Sequence, residues 1–192
     1  MSFATLRAFA LLAGSGAILG LLYAQLVRGA VTIDLKIGRR VRPLGPITVQ
    51  IDAPRHLVFE TISEPYLGRT PRALASKLKV IGRGEDFCLA EHYTPVHRML
   101  TATTLETVRF SVPDRIDFRL VRGPVPYVIE HFILRERDGT TELEYGGEMG
   151  TDFWALGEAW AGLVAPAWER TVRSSLESVR VEAERRDNGG RG

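Results

Sequence analysis

The sequence is poor in the residues that most often announce chemistry. Its 192 residues hold one cysteine, Cys88. That excludes an intrachain disulfide and gives no sign of an oxidising compartment. No motif ties a histidine to Cys88, so it reads as a small core residue rather than a nucleophile. The four histidines, His56, His92, His97 and His131, form no pair at metal-ligand spacing on one helix, and no metal site is expected. There is no G-x-S-x-G, no P-loop, and no G-x-G-x-x-G between a strand and a helix, so no cofactor is expected. "GSG" at Gly14–Gly16 falls in an apolar run and is no nucleophile elbow. A charge excess is missing too: 25 basic residues face 23 acidic ones, for a net charge of +2. The chain does not read as a nucleic-acid binder. Only Lys36, Lys77 and Lys79 are lysines, and the arginine excess reads as compositional bias.

What is present begins with an apolar run. Ala8–Val27, "AFALLAGSGAILGLLYAQLV", carries no charge. As a helix it rises about 30 Å, the thickness of a hydrocarbon core. A cleaved signal peptide is the rival reading, but Leu22-Tyr23-Ala24 is a poor cleavage site and the run is long for a signal core. We expect a single-pass anchor in the cell membrane over residues 1–28. Arg28, Lys36, Arg39, Arg40 and Arg42 follow it while Arg7 alone precedes it, which places the folded domain on the cytoplasmic side. Gly16 and Gly20 form a GxxxG pair that offers weak self-association. "GRRVRP", Gly38–Pro43, suits either anionic headgroups or a plain topology determinant.

A connector is expected over 29–45, a folded domain over 46–186 and a polar tail over 187–192. In the domain, Ile47, Val49 and Ile51 alternate with polar residues, as in a half-buried strand. Asp52 is then positioned to cap a helix that carries Pro54 in its first turn and Leu57, Val58 and Ile62 on its apolar side. "EPYLGRTPRALASK" reads as a turn and a second short helix. Six strands follow, near Lys79–Gly82, Phe87–Tyr93, Leu100–Val112, Ile116–Val121, Tyr127–Arg135 and Thr141–Met149. Hairpin-length turns, "VPDR" and "RGPVP" among them, make an antiparallel meander. A long helix closes the chain, with a cap expected at Thr151 or Asp152. Trp168, Val172, Leu176, Val179 and Ala183 step along one side; Phe153, Leu156, Trp160 and Leu163 form an earlier stripe. Pro166 is expected to kink or break the helix between them. The fold class is α+β: a curved seven-stranded antiparallel sheet wrapped around one long C-terminal helix, preceded by one transmembrane helix.

With these elements in hand, "ITVQIDAPRHLVFETIS" resembles the first strand and helix of the START-like or SRPBCC superfamily. That group includes lipid-transfer domains, plant pollen allergens and the aromatase/cyclases of polyketide synthesis. The hairpin "YVIEHFILRERDGTTELEYGGEM" and the closing helix are similar to the same family, over roughly residues 47–184. The resemblance implies a helix-grip fold with a deep hydrophobic cavity. It implies no activity, because the family shares no catalytic motif.

Strand periodicity assigns an inner, apolar face. It carries Phe87, Leu89, Glu91 and Tyr93, then Thr104, Glu106, Val108 and Phe110, then Ile116, Phe118, Leu120 and Arg122. Val128, Glu130, Phe132 and Leu134 follow, and Leu143, Tyr145, Gly147 and Met149 complete it. Glu91, Glu106, Glu130 and Arg122 are costly there unless paired or at a cavity mouth. They read as a polar cluster for a ligand, or as structural ion pairs such as Arg122 with Glu130. A one-residue bulge would flip a set. The cavity candidates are Glu91, Glu106, Phe118, Arg122, Glu130, Phe132, Tyr145, Trp160 and Trp168.

Three functions fit. The first is a membrane-anchored module holding a hydrophobic small molecule or lipid. The second is a polyketide cyclase/dehydrase-like enzyme in which carboxylates and Tyr145 move protons. The third is a non-catalytic structural or interaction domain with a filled interior.

Overall fold

The computed structural model describes residues 18–72, 74–97 and 100–190. The first half of the Ala8–Val27 run, with Gly16, lies outside them. Residues 18–27 are helical (α1). Among the described residues no helix is long and apolar enough to cross a membrane.

Seven strands form one antiparallel sheet: β1 (Arg40–Ile51), β2 (Leu78–Arg83), β3 (Phe87–His97), β4 (Leu100–Ser111), β5 (Arg115–Arg122), β6 (Tyr127–Arg137) and β7 (Thr140–Thr151). Their order is β1-β7-β6-β5-β4-β3-β2. Strands β2 to β7 follow one another as the expected meander. The first strand pairs with the last, and α2 (Arg55–Leu67) carries the chain from one sheet edge to the other. The long helix α3 (Trp154–Gly190) packs on β1, β7 and α2.

Local details depart from the sequence reading. β1 begins at Arg40, inside the expected connector, because a register shift between Leu44 and Ile47 lets pairing with β7 continue past Gly45 (φ 75°). Only a glycine takes that left-handed backbone without strain. Asp52 does not cap α2; Pro54 holds the N-cap position with no side-chain hydrogen bond. In place of the expected second helix, the described residues 72 and 74–77 form turns. Pro166 does not break α3, which runs on into the expected tail.

The two halves of α3 behave differently. Val172, Leu176 and Ala183 are buried as expected. In the first half the buried residues are Gly157, Ala161 and Ala165, while Leu156 and Leu163 are 73% and 70% exposed. Leu156 and Leu163 of the earlier stripe therefore face away from the sheet, while Trp160 packs half-buried against the core. Small residues are on the buried side because the helix lies close there: a Cβ on Gly157 would stand 1.8 Å from the Asp152 carbonyl oxygen.

Asp152 is a clasp rather than a cap. Its carboxylate accepts hydrogen bonds from the Leu35 and Lys36 amides at 2.7 and 2.8 Å and from Arg39 Nε at 2.8 Å. Next to it Phe153 and Trp154 are left-handed (φ 70° and 49°), and their amides donate to the Ile37 and Gly38 carbonyls. Such residues each cost on the order of 1 kcal/mol, so the clasp must hold the chain against strain. Asp152→Ala is expected to lower unfolding free energy by about 2–3 kcal/mol in urea titrations, since it removes three hydrogen bonds to one carboxylate, two from backbone amides and one from Arg39. The Arg39 hydrogen bond holds the Asp152 carboxyl below its ordinary range. Its contribution is therefore present above pH ~4 and lost as pH falls through the folded pKa.

Candidate functional site

The expected inner faces of β4, β6 and β7 hold. Val108 and Phe110, then Val128 and Leu134, then Leu143, Tyr145 and Met149 are buried. The β3 face is shifted by one residue. Cys88 pairs with Val108, Ala90 with Glu106 and His92 with Thr104, and directly opposed residues share a face. Cys88, Ala90 and His92 therefore point inward, and Phe87, Leu89, Glu91 and Tyr93 outward. Arg122 also faces outward. The register shifts between Leu105 and Glu106, so that Leu120 opposes Glu106 but Arg122 opposes Leu105. Glu91 and Arg122 thus leave the site. Glu91 accepts from Tyr93 Oη at 2.6 Å and from Arg122 at 3.2 Å on the outer face. The ion pair expected between Arg122 and Glu130 is replaced by this one.

The remaining candidates, Trp160 apart, converge. Glu106 and Glu130 are 5% and 8% exposed. Tyr145 Oη and Trp168 Nε1 both donate to Glu130 Oε2 at 2.8 Å. Gly147 opposes Glu130 across the β6–β7 ladder, where a Cβ would stand 2.7 Å from Glu130 Cβ. Rings enclose the acids: Phe118 meets Phe132 at 5.2 Å, Phe132 meets Tyr145 at 5.9 Å, and Tyr66 meets Phe118 at 6.2 Å. Trp160 lies apart, donating to the Pro124 carbonyl at 2.8 Å and meeting the Tyr23 ring at 6.0 Å.

Two members were missed in the sequence. Tyr66, in the last turn of α2, places its hydroxyl 2.9 Å from His92 Nε2. His92 Nδ1 lies 3.3 Å from Glu106 Oε2, yet off the line of a hydrogen bond, and it is buried without a partner. The ring edge is partly exposed, but the nitrogen is sealed. Only the β3–β4 register could have found His92, because the opposite face of β3 holds the larger hydrophobes Phe87 and Leu89 while His92 shares its face with Cys88 and Ala90. Tyr66 stood in a segment that read as loop.

No arginine or lysine among the described residues pairs with Glu106 or Glu130. Burial, opposed by the Thr104 hydroxyl, pushes the Glu106 carboxyl up to about 7. Glu130 rises likewise, from burial first and the Glu106 charge second. Burial pushes His92 down to about 4, so its imidazole is neutral at pH 7. Near neutrality, then, the site can hold, release or accept a proton on carboxyl oxygen beside a phenol and an indole.

Two surface hollows, of about 480 and 570 Å³, lie at Glu60–Arg186 and at the β6–β7 turn. Neither touches Glu106 or Glu130. On the inner side of the sheet the rings of Tyr66, Phe118, Phe132 and Tyr145 meet one another.

Solved structures share this architecture. The Zhui aromatase/cyclase from Streptomyces sp. R1128 superposes with a TM-score of 0.62 at 17% identity, covering 77% of this chain and 95% of that one. The TTHA0849 protein of Thermus thermophilus gives 0.59 at 15% identity, covering 74% and 97%. The chain has the helix-grip fold. It also matches about half, 46%, of the di-domain aromatase/cyclase StfQ from the steffimycin biosynthetic pathway, at 18% identity and a TM-score of 0.53 over 75% of this chain. No family model matches the sequence, and no curated protein does. At these identities the grip fold is what is shared, and the chemistry has to come from the site.

The acid pair gives a signed pH test. The unfolded chain ionises both acids near 4.5, whereas the folded chain holds their protons to about 7. Their contribution to stability is thus fully present below pH 4.5 and is lost as pH rises through about 7. The urea midpoint of the wild type, measured against the Glu106→Gln/Glu130→Gln double variant, is expected to fall across that window and to be flat above it.

Proposed function

We propose that the chain binds a hydrophobic small molecule or lipid carrying carbonyl or hydroxyl oxygen, between α3 and the inner face of β4–β7, with the Ala8–Val27 segment as a membrane tether. The observation that carries this reading is the buried pair Glu106 and Glu130 without a cation. A structural role is poorly served by such a pair, since apolar residues of similar volume would be as stable or more so. A ligand oxygen gives the pair a purpose: a protonated acid donates to it, and an ionised one accepts from a hydroxyl. Phe118, Phe132 and Trp168 offer flat apolar surface alongside. Entry requires the half-buried Phe132 and Trp168 rings to move aside.

A second reading is favoured by Tyr145 on Glu130. In a cyclase/dehydrase-like reaction the ionised carboxylate removes a proton from the carbon beside a ketone. It then returns that proton to a departing hydroxyl, which leaves as water. The aromatase/cyclase neighbours support this reading at the level of fold.

The test is titration of the full chain, in detergent, with a planar hydroxyaromatic probe, read by tryptophan fluorescence. Organic extraction with mass spectrometry would identify any co-purified ligand. Glu130→Gln is expected to weaken binding about tenfold, the worth of one good hydrogen bond to a charged or acid group. Unchanged affinity in both Glu106→Gln and Glu130→Gln would rule the site out. Retained binding with lost turnover of a polyketone would select the enzyme.

A further inference from the structure

The exposed face of α3 changes character at Pro166. Residues 154–168, "WALGEAWAGLVAPAW", hold a single charge, Glu158, and Arg40 neutralises it at 2.6 Å. Ala155, Leu156, Ala159, Gly162, Leu163 and Pro166 are all exposed. At 100° per residue they fall within one third of the helix circumference, opposite the buried Ala161. Farther along the same face come Arg170, Arg173, Glu177 and Glu184. A water-facing helix is expected to be mostly polar there, as the second half is apart from Val181.

The tether leaves the domain beside this face. Val27 and Gly29 are buried in the domain, Tyr23 rests its ring on Trp160, and Ile18, Leu19 and Leu21 are more than 60% exposed. Outside the domain the uncharged sequence runs from Ala8 to Tyr23, sixteen residues. As a helix that is about 24 Å, short of the ~30 Å hydrocarbon core. A tether this short draws the domain into the headgroup layer.

We infer that the Leu156–Leu163 face of α3 lies on the surface of the bilayer that holds the N-terminal segment. The inference rests on the tether in the reading above, and commits to lipid as the occupant. Lipid accounts for both halves of the face: Leu156 and Leu163 meet acyl chains, and Arg170 and Arg173, unpaired among the described residues, meet anionic headgroups. Val164 and Trp168 lie on the opposite side of these turns, with the buried Ala161, so the ring that bonds Glu130 faces the interior while the leucines face the bilayer.

The test uses the full chain in vesicles of zwitterionic and anionic lipid. Leu156→Cys, Leu163→Cys and, as control, Val181→Cys are labelled singly with an environment-sensitive fluorophore. Cys88 does not compete, because burial pushes its thiol up to about 11. Val181 is 53% exposed on the same face, past the change in character. Lipid-borne nitroxide is expected to quench labels at 156 and 163 several-fold more than at 181, and aqueous iodide to show the reverse. Equal iodide quenching at all three positions would overturn the inference. So would labels shielded from both quenchers, or a Leu163→Cys disulfide between two copies, since protein would then cover the face. A chain that does not float with vesicles would overturn the tether as well. Probe binding in detergent would still decide the interior site separately.

Discussion

One carboxylate oxygen joins the long helix to the sheet. Glu130 Oε2 receives Trp168 from α3 and Tyr145 from β7, each at 2.8 Å. Both donors are large rings with few rotamers, so the two bonds fix where the middle of α3 stands over β6 and β7. Gly147 belongs to the same constraint, because a side chain there would collide with Glu130. Apolar packing alone would hold the helix to the sheet without choosing its position. The acid helps choose it, together with the Gly45 amide on Glu169 and the Arg40–Glu158 pair, at the cost of burying a group that water would solvate better.

That cost is doubled by Glu106. Two acids in one interior cannot both ionise cheaply, so a proton is held there up to about neutral pH. The neighbouring imidazole cannot relieve them by taking a charge, since burial keeps His92 neutral. Its Nδ1 is left without a partner and faces Glu106. An orphaned buried nitrogen beside a protonated acid is a poor way to fill a core and a good way to await a ligand oxygen.

Much of this was legible in the sequence, and the exceptions share a cause. Where large and polar residues alternate, as in Val128-Ile129-Glu130-His131-Phe132, the face could be read, and Glu106, Glu130 and Tyr145 were found together. Where the buried side needs small residues, size misleads. On β3 the inward residues are Cys88 and Ala90, beneath the Tyr66 side of α2, and the bulkier Phe87 and Leu89 point out. On α3 Ala161 and Ala165 lie against the sheet while Leu156 and Leu163 do not. Hydrophobicity scales assume that the larger apolar residue is the buried one, and close backbone approach reverses that assumption. Arg122 was misplaced for a different reason: a single-residue register shift is set by pairing, not by composition.

The reversal on α3 connects the interior site to the exterior. A helix with small residues inward has no room for its leucines on that side, so they go outward, where water penalises them by ~25 cal/mol for each Å² left exposed. A chain needing only a stable grip would place mostly polar residues on that outer face, as it does beyond Pro166 with Arg170, Arg173, Glu177 and Glu184. The leucines persist where the uncharged N-terminal segment leaves the domain, and Trp160, whose ring meets Tyr23, stands between them. The same four turns thus face two apolar environments: the ring-lined interior around Glu130 and, on the inference above, the bilayer.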